Sequence, residues 1–136
     1  MPLNLPNARV NLSDNALHMV SERVRFDTLG IGGTFYVGTL PPGAVIQRTV
    51  VHIVTAFNAA TTNVLIVGTA AAGAQLMADA TAAAGTLGTK VVNGVASGSP
   101  VVGAADQPIF VRYTQSGTAA TAGEAIVSVE YLPRVQ

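Results

Sequence analysis

Cysteine and tryptophan are both absent from the chain, aromatic residues make up 5% of it and charged residues 10%. Each shortage removes a class of function. Without cysteine there is no disulfide framework of the kind small secreted domains rely on, and no thiolate metal site or thiol nucleophile. Sugar-binding faces are usually built on exposed aromatic side chains, which weighs against a lectin. An ordinary soluble domain carries roughly a quarter charged residues, so this surface is expected to be unusually neutral. Seven basic residues balance seven acidic ones for a formal net charge of +0. Such a chain has little field with which to attract a polyanion or to repel copies of itself. Nucleic acid is therefore not an expected partner, whereas other protein surfaces are.

Long hydrophobic runs are missing too, although hydrophobic residues make up 49% of the sequence. The longest, Val50 to Phe57, is broken by His52 and Thr55 and falls far short of the roughly 20 residues of a membrane helix. No membrane association is expected. The opening MPLNLPNARVNLSDN has two prolines and no basic stretch leading into an apolar one, so it does not read as a secretory signal.

What remains is a chain of 136 residues, the size of one domain. Residues 1–16 contain Pro2, Pro6 and four asparagines without a sustained apolar period, the pattern of an extended arm. Its apolar side chains, Leu3, Leu5, Val10 and Leu12, have no evident place in a sandwich and are the candidate interface residues. Residues 17–136 are expected to form a single β-sandwich domain. From Met19 to Phe26 the spacing fits strand or helix, and the β-branched valines favour strand. Thr34 to Leu40 and Val45 to Phe57 read as strands joined by Pro41-Pro42-Gly43. Pro42 presets the first central position of a type II turn and Gly43 tolerates the positive φ of the second, which predicts a hairpin. In the long strand Val45, Thr49, Val51, Ile53 and Phe57 fall on one face and Ile46, Arg48, Val50, His52 and Val54 on the other. Both faces are partly apolar, so part of the outer one is expected to be covered.

Asn63 to Gly68 is a further strand. Gln75 to Asp79 has the composition of one helical turn within a loop of alanine, glycine and threonine. Asn93-Gly94 between apolar residues is the strongest short-range hairpin cue. Strands at Ile109 to Thr114 and Glu124 to Leu132 close the chain, with Gly117 and Gly123 between them. Seven or eight short strands punctuated by turn residues indicate an all-β protein, an antiparallel two-sheet sandwich of jelly-roll type.

Little chemistry is on offer. His18 and His52 are far apart, and the carboxylates Asp14, Glu22, Asp27, Asp79, Asp106, Glu124 and Glu130 occur singly. The plain reading puts Asp27, Asp79 and Asp106 at solvated loop ends and makes Arg48 and Arg112 surface strand charges or cross-strand partners of Glu124 and Glu130. Gly30-Ile31-Gly32-Gly33 lacks the third glycine of a dinucleotide-binding turn, where Phe35 stands, and Gly85 to Lys90 lacks the Walker spacing. No catalytic, cofactor-binding or metal-binding residues are assigned, and an enzyme is not expected.

Six short segments do carry a resemblance. Thr39-Leu40-Pro41-Pro42-Gly43-Ala44-Val45-Ile46, then Val54-Thr55-Ala56-Phe57-Asn58 and Val67-Gly68-Thr69, and at the end Val111-Arg112-Tyr113, Thr121 to Ala125 and Val129-Glu130-Tyr131 resemble the head decoration (cement) proteins of tailed bacteriophages. The resemblance spans residues 35–132. It implies a jelly-roll-like virion protein, made in the host cytoplasm, that binds the outer face of a phage capsid and clamps neighbouring major capsid subunits. It transfers no catalytic residues. Self-association is also expected, a dimer before a trimer, because apolar residues lie on both faces of Val45 to Phe57. The competing expectation is a tail-fibre-type sandwich that binds carbohydrate or a receptor.

Overall fold

The computed structural model describes residues 16–133 and is all-β, built from two antiparallel sheets. The elements are β1 (His18–Arg25), β2 (Phe35–Leu40), β3 (Val45–Thr55), β4 (Thr62–Gly68), a single helical turn α1 (Asp79–Ala82), β5 (Gly88–Asn93), β6 (Gln107–Ser116) and β7 (Glu124–Leu132). One sheet, A, has the order β1-β7-β3-β5; the other, B, has the order β2-β6-β4. Odd strands lie in A and even strands in B, so each connection between consecutive numbered strands crosses from one sheet to the other. A jelly roll has eight strands in two sheets. Here the eighth position is held by Leu76 and Met77, whose amides both donate to the Val67 carbonyl at 3.0 Å and extend sheet B beyond β4.

The predicted strands are present to within a residue or two, but neither predicted hairpin forms. At Pro41-Pro42-Gly43 the turn chemistry is as expected: Gly43 has φ 77° and the Ala44 amide donates to the Pro41 carbonyl at 3.2 Å. Its strands then part, β2 pairing with β6 and β3 with β5 and β7. Asn93-Gly94 ends β5 instead of reversing it. Gly94, at φ 71°, donates its amide to the Gln47 carbonyl and the chain runs on into a loop. The short helix also differs. It starts at Asp79, where the expected turn ended, because the Asp79 carboxylate accepts the Leu65 amide at 3.2 Å and fixes the helix start against β4. Asp79 is thus a structural link and not a solvated loop end.

Alternation along the strands fills the space between the sheets. Val24, Val51, Ile53, Ala125, Val127 and Val129 project from sheet A onto Val37, Leu40, Leu65, Val67, Ile109 and Val111 of sheet B, all buried. A register shift at Gln47, between Ile46 and Arg48, inserts one residue into β3. Such a bulge reverses the facing of everything before it. Ile46, expected outside, is therefore buried, and Val45 stands outward beside Leu132. A second shift, at Val37 in β2, sets Gly38 against β1. A Cβ on Gly38 would come within 2.7 Å of Val20, so the edges of the two sheets approach there only because the side chain is missing.

Candidate interaction surfaces

The titratable residues do not converge. Among the described residues there is no group of three or more His, Cys, Asp or Glu placed to hold a metal ion. His52 lies on the outer face of sheet A with its Nδ1 2.6 Å from the Thr89 hydroxyl, and the His18 ring packs against Tyr131 with centroids 5.7 Å apart. Glu124 pairs with Arg23 at 2.8 Å, and Glu130 accepts both Nε and Nη2 of Arg48, the second at 3.2 Å. That bond and the opposite charge of Glu130 raise the Arg48 pKa. These are the cross-strand pairings expected of outward charges. Arg112 differs: it donates to the Gly32 carbonyl at 3.2 Å and so braces the β1–β2 loop. Within that loop, successive turns and a bond from the Tyr113 amide to the Ile31 carbonyl at 2.9 Å hold the Gly30-Ile31-Gly32-Gly33 segment as ordered chain.

Two open hollows flank this loop. One of about 260 Å³ is lined by Arg25, Phe26, Thr55, Gly123 and Glu124, and a shallower one of about 450 Å³ by Phe26, Leu29, Ile31 and Tyr113. The first contains one carboxylate, Glu124, ion-paired with Arg23, and the second one, Asp27, ion-paired with Arg25 at 3.3 Å, beside a rim residue, Leu29, that is 93% exposed. Neither offers an acid and a base facing one another. Behind them lies a polar network: the Tyr113 hydroxyl donates to Asn63 Oδ1 at 2.7 Å, that oxygen also accepts the Ala59 amide at 2.8 Å, and Gln115 Oε1 accepts the Ala120 amide at 2.7 Å. Its effect is to lock the loops at this end.

Faces are more informative than clefts. The register places Arg23, Arg25, Glu124, Glu130, Arg48 and His52 on the outer face of sheet A. On the outer face of sheet B it places Tyr36, Phe110, Pro108, Thr39, Ile66, Val64 and Thr114, with Arg112 as the one charge among these strand positions. Tyr36 is 51% exposed and meets Phe110 edge-on at 6.3 Å between ring centres. A second apolar patch closes the end of sheet A where β1 begins. Leu132 pairs with Val45 and Val45 bridges to Val101, while Leu17 continues the row one residue beyond the His18–Tyr131 pair. Leu17, Met19 and Val101 are 53%, 58% and 52% exposed.

The four candidate interface residues, Leu3, Leu5, Val10 and Leu12, lie outside the described residues. Neither apolar surface was singled out from sequence. The signal that marks them is apolarity on both faces of a strand, as in Phe35-Tyr36-Val37 and Ile109-Phe110-Val111.

Comparison with protein-family models and with curated protein sequences gives no match. Among solved structures, a chain of the cyanophage Pam1 capsid asymmetric unit is similar over 86% of this chain and 84% of its own length, with a TM-score of 0.64 and 21% identity. A chain of the acidic stable capsid structure of Helicobacter pylori bacteriophage KHP30 is similar over 88% and 90% respectively, with a TM-score of 0.60 and 15% identity. The likeness is one of fold, and it takes in nearly the whole of all three chains.

Proposed function

We propose that this protein is a structural component of a phage virion that binds the outer surface of the capsid and stabilises contacts between major capsid subunits. The observation that carries this reading is that the entire sandwich, with little left over on either side, resembles chains of two phage capsids. The asymmetry of the two faces adds to it. A charge-poor face presenting Tyr36 and Phe110 suits a shell that offers a fixed protein surface, and the ion-paired face of sheet A suits water. The partner is the major capsid protein, with copies of this chain as neighbours, in a dimer or a trimer.

A module of this size works by touching more than one shell subunit, because separating those subunits must then break several contacts together. The test is its copy number on purified particles. In this reading the chain is present in fixed ratio to the major capsid protein, and particles assembled without it open at a lower temperature. Absence from particles, or a handful of copies per particle as a tail component would have, overturns it in favour of a receptor-binding module.

A further inference from the structure

The strands of sheet B, β2, β4 and β6, contain no Asp or Glu, and Arg112 is their one charged residue. It follows Phe110 along the outer side of β6, stands opposite Ile66 of β4, and is partly buried. Arg23, Arg25 and Arg48 each pair with a carboxylate, whereas Arg112 has no such partner among the described residues. Its Nε donates to the Gly32 carbonyl at 3.2 Å, which fixes the guanidinium on the face. Of the five N–H groups of a guanidinium that bond uses one. The four on Nη1 and Nη2 find no acceptor among the described residues.

We propose that sheet B docks on a surface presenting a carboxylate among apolar side chains, and that Arg112 is the residue that selects it. The inference rests on the capsid reading, in which that surface belongs to the major capsid protein. Docking the apolar face strips water from the guanidinium too, and a buried cation without an anion is far costlier than a hydrated one. A carboxylate meets both needs, since it brings the opposite charge and accepts two parallel N–H bonds. A second copy of this chain does not fit the face. In an isologous contact the patch meets itself, and its strands hold no acid to set against Arg112. Size points the same way. A patch of three strands, each about six residues long, covers on the order of 300 Å², against about 800 Å² on each partner of a stable free-standing complex. A shell holds its subunits in place and is touched at more than one point, so it tolerates a contact that small.

The test mixes native protein and a variant in equal amounts with particles assembled without the chain, and mass spectrometry reads the ratio bound. Arg112→Met keeps an apolar stem and drops the charge. Arg112→Gln also drops the charge but retains N–H donors for the Gly32 carbonyl, so it separates loss of the brace from loss of the pair. Both should fall to about one-thirtieth of the native occupancy or lower, because each leaves the partner carboxylate buried without a cation. The isolated variants should melt within a few degrees of the native protein, as outward substitutions do; if Arg112→Met does not fold, Arg112→Gln decides alone. Arg112→Met binding as well as the native protein, or better, means that the cation meets no anion and overturns the proposal. Arg112→Gln binding like the native protein while Arg112→Met is lost means that the acceptor is neutral, and overturns it too. Native protein that does not bind particles at all overturns the capsid reading together with this inference.

Discussion

Thr49 is fully buried on the inner face of β3 and its hydroxyl has no hydrogen-bond partner among the described residues. An unsatisfied buried hydroxyl costs about 1–3 kcal/mol, and valine has nearly the same shape. Thr49→Val should therefore raise stability by about 1 kcal/mol, seen as a higher denaturant midpoint at an unchanged slope; a lower midpoint would show that the hydroxyl is satisfied in solution. Tyr113 presents the opposite case, a buried hydroxyl with a partner in Asn63. Burial raises its pKa above the ordinary 10.0. The unfolded chain then ionises first, so the contribution is whole below pH 10 and is lost as pH climbs through the folded value. Tyr113→Phe should cost about 0.5–1.5 kcal/mol at pH 8, the usual worth of such a bond. Between pH 9 and 11 the variant should lose less stability than the native protein. Urea titrations at those pH values check it, and equal losses would mean that Tyr113 ionises alike in both states.

Elements are where sequence reading both succeeded and failed. Strand positions were legible because period-two alternation and Pro or Gly punctuation are local, as β7, recovered to the residue, and the Pro42-Gly43 turn show. Pairing was not, because a turn between two strands bends the chain in the same way whether they share a sheet or face each other across the core. The bulge at Gln47 was illegible for a related reason: one inserted residue is defined only against the neighbouring strands, and it exchanged Val45 and Ile46 between faces. The candidate surfaces depend on that exchange. The edges of sheet A show what the sequence did encode. Glu22 on β1 and Lys90 on β5 sit opposite Val127 and Val51, at inward-facing positions of the two edge strands. Burial lowers the Lys90 pKa, and its ammonium donates to the Thr86 carbonyl. An inward charge on an edge strand blocks sheet extension, because a strand added alongside would desolvate it. Glu22→Val should therefore let copies associate through β1, giving larger species in sedimentation velocity at concentrations where the native protein shows none. An unchanged distribution would mean that the bulged and bridged edges of sheet B, and not these charges, set the limit.

At the scale of the whole molecule, blocked edges leave faces and loops as the means of contact, and the two outer faces differ in kind. Charges on sheet A are largely spent on one another, as in Arg23 with Glu124 and Arg48 with Glu130. Pairs of this sort contribute little when exposed, and taking them out of water against a shell would be costly. Sheet B asks for no such desolvation beyond Arg112, which is already bonded to Gly32. Burying a large side chain such as Tyr36 or Phe110 against a partner gives about 1.5–3 kcal/mol, or about tenfold or more in affinity for each. If sheet B faces the capsid, Tyr36→Asp loses that burial and places a charge in the contact. Tyr36 is half-exposed and outward, so the isolated variant should keep its melting temperature to within a few degrees. Its occupancy on particles should nevertheless fall well below that of the native protein in a competition experiment. The matched substitution on the other face is Val91→Asp, at a similarly exposed outward position of β5. It adds the same charge to the same fold and should leave occupancy unchanged. The reverse ranking would put sheet A against the shell, and equal loss in both variants would mean that the molecule is gripped by both faces, between two subunits instead of upon them.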